Sequence, residues 1–352
     1  MRVMILTADY PPHVWSGIGA TVERQASALA ARGIEVHVMV AARLGAPVSP
    51  AAENDPVVHH LCRRRCPVDP WSFDVVHLHS LALSEFAVEM RRRAGTRLVY
   101  TAHSLLHLEL ADAPHAAGWC AVQQRMLATS DRVVFLSGAE RAAALDLFPE
   151  LAGRSVVIPN GVPPPPRALP PPGGDGPIVF AGRFTRNKGV ELLAAVIPRL
   201  LARRQHRFVL AGGHGDERGH RVLSSVSDRF PGHCQLVGWL GRDELDRLLA
   251  SAAVVLVPSL YEPFGLVALE AMRNGAPVLA AAVGGLAEIV DRHSGGRLVH
   301  SRDPEAWTDA IVDLLTDPAT TQALHLRGPE YVAARYDVDR LAQRLVDDVY
   351  AA

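Results

Sequence analysis

The sequence predicts an α/β protein made of two doubly wound domains. Three observations predict this class: the length of 352 residues, the alternation of Val/Ile/Leu-rich runs with segments of helical period, and a proline-rich stretch near the middle. A chain of this length exceeds one ordinary core and fits two domains of roughly 150 to 180 residues. Short apolar runs between helices are typical of βαβ units around a buried parallel sheet. We therefore expect two lobes facing across a cleft.

Composition excludes several classes of protein. Hydrophobic residues make up 49% of the chain and charged residues 21%, so two cores can be buried and disorder is excluded as the main state. The net charge of −1 gives no basic field for nucleic acid, and no apolar run has the length of a transmembrane helix. The chain opens on a strand-like run without the features of a secretory signal, which favours a cytoplasmic location.

The first domain is predicted over residues 1–162. Its strands are expected at Val3–Leu6, Glu35–Val40, Val75–Leu78, Leu98–Thr101, Arg132–Leu136 and Ser155–Ile158. Helices are expected between them, for example over Thr21–Arg32 and Leu83–Arg93. The first of these two ends at Gly33, as glycine commonly ends a helix.

Proline and glycine dominate residues 163–177, where missing backbone donors prevent both helix and sheet, so this segment is the predicted linker. The second domain is predicted over residues 178–330. Its strands are expected at Ile178–Gly182, Phe208–Ala211, Cys234–Val237, Val254–Val257, Val278–Ala281 and Gly296–Val299. The amphipathic stretch over residues 331–352 is predicted as a final helix.

Two carboxylates follow the strand Val254–Val257. Glu262 lies in a loop with Gly265, and a helix that begins near Leu266 carries Glu270 about one turn inside. The carboxyl edge of a parallel sheet is where such folds bind ligands, and the amides at a helix start attract phosphate. The alternative is structural: Glu262 as a loop carboxylate and Glu270 as a charge on the helix surface.

A second motif follows the strand Ile178–Gly182 and places Arg183 and Lys188 at the same kind of edge. Arginine supplies a planar clamp and lysine a compact charge, which together suit a diphosphate. Of the 36 basic residues, 35 are arginine and only Lys188 is lysine. Surface solvation is therefore a weaker explanation for Lys188 than for the neighbouring Arg186.

The first domain offers a glycine loop and a histidine. Gly17 and Gly19 follow the first strand and precede a helix, so the backbone there can approach a ligand. The third glycine of a dinucleotide fingerprint is absent, which argues against a nicotinamide enzyme. His103 follows the strand Leu98–Thr101, where a neutral imidazole can bond a substrate hydroxyl or where it simply caps its own strand.

No metal site or disulfide is predicted. His77 and His79 lie two apart at a strand end, but no third ligand has a convincing position. Only Cys62 and Cys66 of the four cysteines are close, and their spacing is not that of common zinc pairs. The arginine runs at 63–65 and 91–93 are interpreted as solvated faces, with contact to anionic lipid headgroups as the weaker alternative.

Taken together, the motifs resemble the retaining nucleotide-sugar glycosyltransferases of the GT-B architecture, family 4. The segments that carry the resemblance are the Glu-x7-Glu element from Glu262 to Glu270, the Gly182–Gly189 loop, Ile158–Val162, Val283–Val290 and the loop at Gly17 and Gly19. The likeness spans almost the whole chain and is most specific in its second half.

The resemblance implies a role for each matched residue. Glu270 would bind the ribose hydroxyls, Glu262 with amides near Phe264, Gly265 and Leu266 would hold the transferred sugar, and Val237 and Gly238 would line the base pocket. Arg183 and Lys188 would grip the diphosphate, His103 would lie beside the reacting carbon, and the last helix would cross back onto the first domain. The family's paired glycines appear as Ser16-Gly17, and Ser104 follows His103 in place of an acid. Both departures concern the acceptor side.

The implied reaction is transfer with retention and without a cofactor or obligatory metal, because the two cations would neutralise the departing diphosphate. A uridine diphosphate sugar is favoured as donor and guanosine diphosphate mannose stays open. The acceptor is a small polar or secondary metabolite, or a lipid-linked glycan. The alternatives are a sugar phosphorylase, a nucleotide-sugar epimerase, or a non-catalytic scaffold that binds nucleotide sugars. The protein is expected as a monomer or homodimer, with peripheral membrane contact as a minor alternative.

Overall fold

A computed structural model describes residues 1–11, 16–41, 58–62, 69–110, 117–165, 175–213 and 215–351, with 58–62 described by backbone alone. The chain divides into two compact units. Unit 1 contains Met1–Pro163 and Val338–Ala352, and unit 2 contains Pro164–Asp337. Most of the predicted linker, residues 166–174, lies outside the described residues, as do Cys66 and Arg63–Arg65.

The described residues of unit 1 form a sheet of seven parallel strands in the order β3-β2-β1-β4-β5-β6-β7. The strands are β1 (Arg2–Thr7), β2 (Glu35–Ala41), β3 (Val58–Cys62), β4 (Val75–Leu78), β5 (Arg97–Ala102), β6 (Arg132–Phe135) and β7 (Ser155–Val157). All six strands predicted for this domain are confirmed to within two residues. The sequence prediction missed β3, a five-residue strand that pairs with β2 at the edge of the described sheet.

In the described part of unit 1, five helices connect these strands: α1 (Gly17–Ala30), α2 (Ser84–Ala94), α3 (Leu106–Glu109), α4 (Ala117–Thr129) and α5 (Gly138–Leu147). Helix α1 begins four residues before the predicted Thr21. Its start is set by Ser16, whose hydroxyl accepts a hydrogen bond from the amide of Ile18 at 3.1 Å. An N-cap of this kind satisfies an amide that the helix itself leaves unpaired.

Six parallel strands in the order β10-β9-β8-β11-β12-β13 are found among the residues of unit 2 that the structure describes. The strands are β8 (Ile178–Arg183), β9 (Phe208–Gly213), β10 (Cys234–Gly238), β11 (Val254–Val257), β12 (Val278–Ala281) and β13 (Gly296–Val299). Its helices are α6 (Val190–Arg203), α7 (Glu217–Arg229), α8 (Arg242–Ala250), α9 (Leu266–Arg273), α10 (Leu286–Ile289), α11 (Pro304–Thr316) and α12 (Pro318–Arg335). Every strand predicted for this domain is confirmed.

The sheet of unit 1 is buried on both faces. Side chains alternate along a strand, so Val3 and Ile5 of β1 join one apolar cluster while Met4 and Leu6 join the cluster on the opposite face. This double burial explains why β1 is a continuous apolar run in the sequence. Among the described residues, no helix combines the length and apolar character needed to cross a membrane.

The predicted single helix over residues 331–352 is wrong. Helix α12 ends at Arg335, and a separate helix α13 (Val338–Leu345) begins after a break and continues as a π-helical turn to Tyr350. The break occurs at Tyr336, whose backbone leaves the helical region and whose ring packs against Tyr331 at 6.0 Å and Phe264 at 6.2 Å between centroids. Tertiary packing of this aromatic residue thus overrides the local helical pattern.

Candidate active site

The strand order of unit 2 reverses between β8 and β11, which are neighbours in the sheet but far apart in the chain. Strands β9 and β10, which follow β8 in the chain, lie on one side of this pair. Strands β12 and β13, which follow β11, lie on the other side. In open α/β sheets the loops at the carboxyl ends of the two strands flanking such a reversal diverge and leave a binding crevice. The loop after β8 carries Lys188, and the loop after β11 carries Glu262.

Backbone contacts hold these two loops together. The carbonyl of Asn187 accepts a hydrogen bond from the amide of Leu260 at 2.8 Å. Gly189, with φ of +74°, lies so close to the other loop that a Cβ built on it would be 1.9 Å from the carbonyl oxygen of Pro258. Only glycine accommodates both the left-handed backbone and this approach. The position of Lys188 between Asn187 and Gly189 is therefore fixed from both sides.

Lys188 and Glu262 form an ion pair. The Nζ of Lys188 donates to Oε2 of Glu262 at 2.8 Å, and the hydroxyl of Ser259 donates to the same oxygen at 3.0 Å. Glu262 is buried, with 6% of its surface exposed, whereas the side chain of Lys188 is 25% exposed. A buried carboxylate requires such compensation. The sequence prediction did not identify Ser259, because a lone serine after a strand has no distinctive pattern.

A third loop, after β12, also contacts Glu262. The amide of Gly285 donates to the carbonyl of Glu262 at 2.9 Å, and a Cβ on Gly284 would be 2.2 Å from that carbonyl oxygen. Three strand ends that are neighbours in the sheet therefore fix the backbone of Glu262. These glycines act through close backbone approach, which the sequence shows only as a glycine pair.

The start of α9 follows Glu262 in the same loop. Gly265 has φ of +106°, and a Cβ there would be 2.6 Å from a methyl carbon of Leu286. Phe264 is buried, Leu266 is the first helical residue, and Glu270 is buried one turn further on. A helix start leaves its first amides without partners inside the helix, which creates a site for an anion.

A buried polar cluster supports the far end of α9. Arg273 forms an ion pair with Asp246 of α8, and Asn274 donates to Asp246 at 2.9 Å and to the carbonyl of Glu270 at 2.8 Å. Arg273 is 2% exposed, so this pair ties α9 to α8 beneath the loops. The sequence prediction did not identify this cluster, since its members lie on two different helices.

The other predicted donor residues lie at the same edge of the sheet. Arg183 is the last residue of β8 and is partly buried. Val237 and Gly238 end β10, the edge strand, with φ of +72° at the exposed Gly238. Strand β10 is three strand spacings from β11, or about 14 Å. The structure thus brings Lys188 and Glu262 into contact but places Val237 and Gly238 well apart from them.

In unit 1 the glycine loop contacts Asp9. The hydroxyl of Ser16 donates to Oδ2 of Asp9 at 3.0 Å, and Gly17 is the first residue of α1. A Cβ on Gly19 would be 3.1 Å from the carboxyl carbon of Asp9. This packing requirement accounts for Gly19 within the unit itself, and a ligand role for Gly17 and Gly19 stays a prediction.

His103 belongs to a cluster of three histidines. Its Nε2 lies 3.0 Å from Nδ1 of His79, and the ring of His79 lies 4.2 Å from that of His77, between centroids. Burial lowers the pKa of His103 to about 4. Burial and the nearby His103 lower the pKa of His77 to about 3. Burial also lowers the pKa of His79, so all three imidazoles are neutral near pH 7.

The loop after His103 is held by two buried side chains from distant helices. Gln123 of α4 donates to the carbonyl of Ser104 at 2.7 Å and accepts from the amide of Leu106 at 2.8 Å. Glu140 of α5 accepts from the amide of Leu105 at 3.1 Å. Neither residue has a sequence signal, because a single glutamine or glutamate in an amphipathic helix is indistinguishable from a surface position.

Within the part of the chain that the structure describes, no three His, Cys, Asp or Glu side chains are arranged so that they could hold a metal ion. Both ring nitrogens of His77 have protein partners, Tyr350 at 2.6 Å and Thr101 at 2.7 Å. Cys120 and Cys234 are free thiols.

Comparison with known proteins identifies the family. Residues 176–317 match the model for glycosyl transferases group 1, and residues 15–164 match the model for glycosyltransferase family 4. The D-inositol 3-phosphate glycosyltransferase of Stackebrandtia nassauensis is 30% identical over 93% of this chain and 80% of its own. Glycogen synthase of Mycobacterium tuberculosis is 28% identical over 92% of this chain and 88% of its own.

Solved structures agree with this fold. Sucrose-phosphate synthase from Thermosynechococcus elongatus superposes with a TM-score of 0.82 at 25% identity, covering 100% of this chain and 99% of its own. Two doubly wound parallel sheets of this kind make up the GT-B fold. The chain belongs to glycosyltransferase family 4, and the resemblance drawn from its motifs is confirmed.

Proposed function

We propose that this glycosyltransferase transfers a hexosyl group from a nucleotide diphosphate sugar to an acceptor hydroxyl with retention, without a metal ion. A uridine diphosphate sugar is the favoured donor, and a guanosine diphosphate sugar is the alternative. The observation that carries the proposal is the Lys188–Glu262 pair at the strand-order reversal of unit 2, beside the start of α9. That position joins a cation, a carboxylate and helix amides in one crevice.

Each partner of the pair suits a different part of such a donor. The ammonium of Lys188, with Arg183 at the end of the same strand, would neutralise the charge that grows on the departing diphosphate. Glu262 would accept hydrogen bonds from hydroxyls of the transferred sugar. Glu270 would bind the ribose, and the backbone at Val237 and Gly238 would line the base pocket. His103 would act from unit 1 beside the reacting carbon.

Retention without a protein nucleophile requires the acceptor to attack from the face that the diphosphate leaves. The bond to the diphosphate breaks through an oxocarbenium-like state, the acceptor oxygen forms the new bond on that face, and the hydroxyl proton passes to the departing diphosphate. The protein contributes orientation, charge stabilisation and exclusion of water. Removal of one such stabilising donor typically costs about 10²- to 10³-fold in rate.

The names of the relatives favour a small polar acceptor over a lipid-linked glycan. Several relatives are named D-inositol 3-phosphate glycosyltransferases, with identities of 29% to 33%. We therefore propose a cyclitol, a sugar or a phosphate of either as the acceptor class.

Two measurements test the donor. Mass spectrometry of nucleotide that copurifies with the protein, followed by thermal shift with uridine and guanosine diphosphate sugars, should single out one base. At a ligand concentration of 100 times Kd, stabilisation of about 2.7 kcal/mol is expected. Failure of every nucleotide sugar to stabilise the protein would contradict the proposed donor class.

Turnover in excess chelator tests the reaction. We expect release of nucleotide only when a cyclitol or sugar acceptor is present, and an unchanged rate in the chelator. Loss of activity that magnesium or manganese restores would refute metal independence. Conversion of the donor sugar without any acceptor would instead indicate an epimerase, and binding without turnover over the whole acceptor panel would indicate a scaffold.

A further inference from the structure

His79 lies immediately after β4, which neighbours β1 at the strand-order reversal of the unit 1 sheet. Its amide donates to the carbonyl of Leu6 in β1 at 2.8 Å, so the backbone is held by the sheet. The residue is buried, with 4% of its surface exposed. A histidine held this firmly cannot reorient its ring without a large rearrangement.

The ring of His79 is also fixed from one side by His77. The two centroids lie 4.2 Å apart with the rings tilted by 42°. His77 is held in turn by its bonds to Tyr350 and Thr101. The hydrogen-bonding direction of His79 Nδ1, toward Nε2 of His103 at 3.0 Å, is therefore built into the unit.

Two neutral imidazoles that share one hydrogen bond have coupled tautomers. Burial lowers the pKa of both His79 and His103, so neither ring carries a charge near pH 7. A neutral imidazole has one N–H donor and one acceptor nitrogen. Either His79 donates from Nδ1 and His103 carries its proton on Nδ1, or His103 donates from Nε2 and His79 carries its proton on Nε2.

The other nitrogen of His79 decides between these arrangements. Its Nε2 is buried and has no hydrogen-bond partner among the described residues. A proton placed there would be an unsatisfied buried N–H, which native structures rarely contain. When the proton of His79 is on Nδ1 instead, no N–H group is left buried without an acceptor at Nε2.

We propose that His79 is a positioning residue that sets the tautomer of His103, donating from Nδ1 so that His103 accepts at Nε2 and carries its own proton on Nδ1. This inference deepens the proposed function and rests on it for its effect on turnover, since it requires His103 to act on the bound substrate. His103, which is partly exposed, then presents a fixed neutral N–H donor to oxygen atoms of the substrate.

A pair of variants at one position tests the proposal. Asparagine places an amide N–H near the position of Nδ1, so His79→Asn should preserve the bond, whereas His79→Leu should remove it. Long-range ¹H–¹⁵N spectra of the full-length protein, with ¹⁵N-labelled histidine, report the tautomer directly, and His103→Gln identifies the signals of His103. We expect the Nδ1–H tautomer in the wild type and in His79→Asn, and a mixture in His79→Leu.

The kinetic expectation follows from the same bond. For His79→Leu, kcat should fall about tenfold, the equivalent of one ordinary hydrogen bond, while the KM of the donor stays within about twofold. His79→Asn should recover most of kcat. The pKa of His103 should rise in His79→Leu because a donor to its neutral form is lost.

His325→Gln is the control, because it removes a buried histidine of unit 2 whose Nδ1 lies 2.9 Å from the carbonyl oxygen of Gly275. It should lower Tm but leave the His103 tautomer unchanged. A wild-type His103 with its proton on Nε2, or a His79→Leu variant with unchanged tautomer and kcat, would overturn the proposal. The spectra need no turnover, so an inactive wild type with the expected tautomer would refute the proposed function alone.

Discussion

Lys188 shows how much a single side chain contributes to a site. It is the one lysine in the sequence, and the other 35 lysine or arginine positions are all arginine. The structure supplies a reason: its compact ammonium reaches a buried carboxylate oxygen at 2.8 Å, beside the hydroxyl of Ser259. A planar guanidinium has a different shape and donor geometry at such a point contact.

Lys188→Gln should lower kcat/KM for the donor by about 10²-fold or more, because the charge that we propose to face the departing diphosphate is lost. Steady-state kinetics with a saturating acceptor measure this effect. Arg186→Gln, two residues away and exposed, is the control and should change kcat/KM by less than about twofold. Equal losses in the two variants would argue against a specific role for Lys188.

The histidine cluster predicts how stability depends on pH. The pKa values of His77 and His103 are lowered from 6.5 to about 3 and about 4, so the unfolded chain binds protons below pH 6.5 that the folded chain does not bind. The free energy of unfolding should therefore fall as pH decreases from 6.5 to 4.5, by on the order of a few kcal/mol. Carboxylates with lowered pKa values, such as Asp131, change the free energy of unfolding only at lower pH.

Thermal unfolding at pH 7.5, 6.5, 5.5 and 4.5 measures this dependence. His77→Gln should reduce the slope of Tm against pH because one buried imidazole no longer titrates on unfolding. His300→Gln changes an exposed histidine and should keep the wild-type slope. A flat Tm between pH 6.5 and 4.5 in the wild type would show that the cluster is not buried in the folded protein.

At the scale of elements, close contact between loops positions the candidate site. Gly189 ends the short turn that carries Lys188 and begins α6 with its backbone against Pro258. The two loops follow neighbouring strands, so their separation is set by the spacing of the sheet. Any side chain at position 189 would push these two loops apart.

Gly189→Ala should destabilise the protein by about 2 to 4 kcal/mol and reduce donor turnover, since the methyl group displaces the loop after β11 as well as straining a left-handed backbone. Gly95→Ala is a matched control: Gly95 has φ of +67°, but a Cβ there would have no atom of the described residues within 4 Å. Gly95→Ala should lower the free energy of unfolding by about 1 kcal/mol and leave turnover unchanged. Urea unfolding and donor kinetics compare the two variants. Similar effects of both would show that the contact of Gly189 with Pro258 is not required for stability or turnover.

At the scale of the whole molecule, the chain returns to unit 1 after completing unit 2. Leu341, Leu345 and Val349 join the apolar cluster of α1 and β1, and Arg97 donates to the carbonyl of Val349 at 2.9 Å. Each fully buried aliphatic side chain of this kind contributes about 1.5 to 3 kcal/mol. The last residues of the sequence are therefore part of the core that its first residues form.

Leu345→Ala should destabilise the protein by about 2 to 5 kcal/mol, because it removes a buried side chain and leaves a cavity. Leu326→Ala, at a position 57% exposed, should change stability by less than about 0.5 kcal/mol. Calorimetry of the full-length protein compares the two. If Leu345→Ala unfolded like the wild type, the packing of α13 against unit 1 would be contradicted.

The sequence by itself determined the α/β class and the confirmed strands. It also placed Glu262, Lys188 and His103 in loops that follow strands. Such information is local: apolar period, turn residues and motif spacing are read within one short segment. Edge strand β3 was missed, since it lies between segments without a regular pattern, and the single final helix was wrong, since aromatic packing at Tyr336 interrupts its period.

Only the tertiary structure decided which of these residues meet. Lys188 and Glu262 are 74 positions apart, His79 and His103 are 24 apart, and Gln123 is 19 positions from the loop residue Ser104. Their contacts depend on the order of strands in each sheet and on close backbone approach at Gly189 and Gly284. Strand order arises from packing of the whole unit, so it cannot be predicted from the periodicity of side chains along the chain.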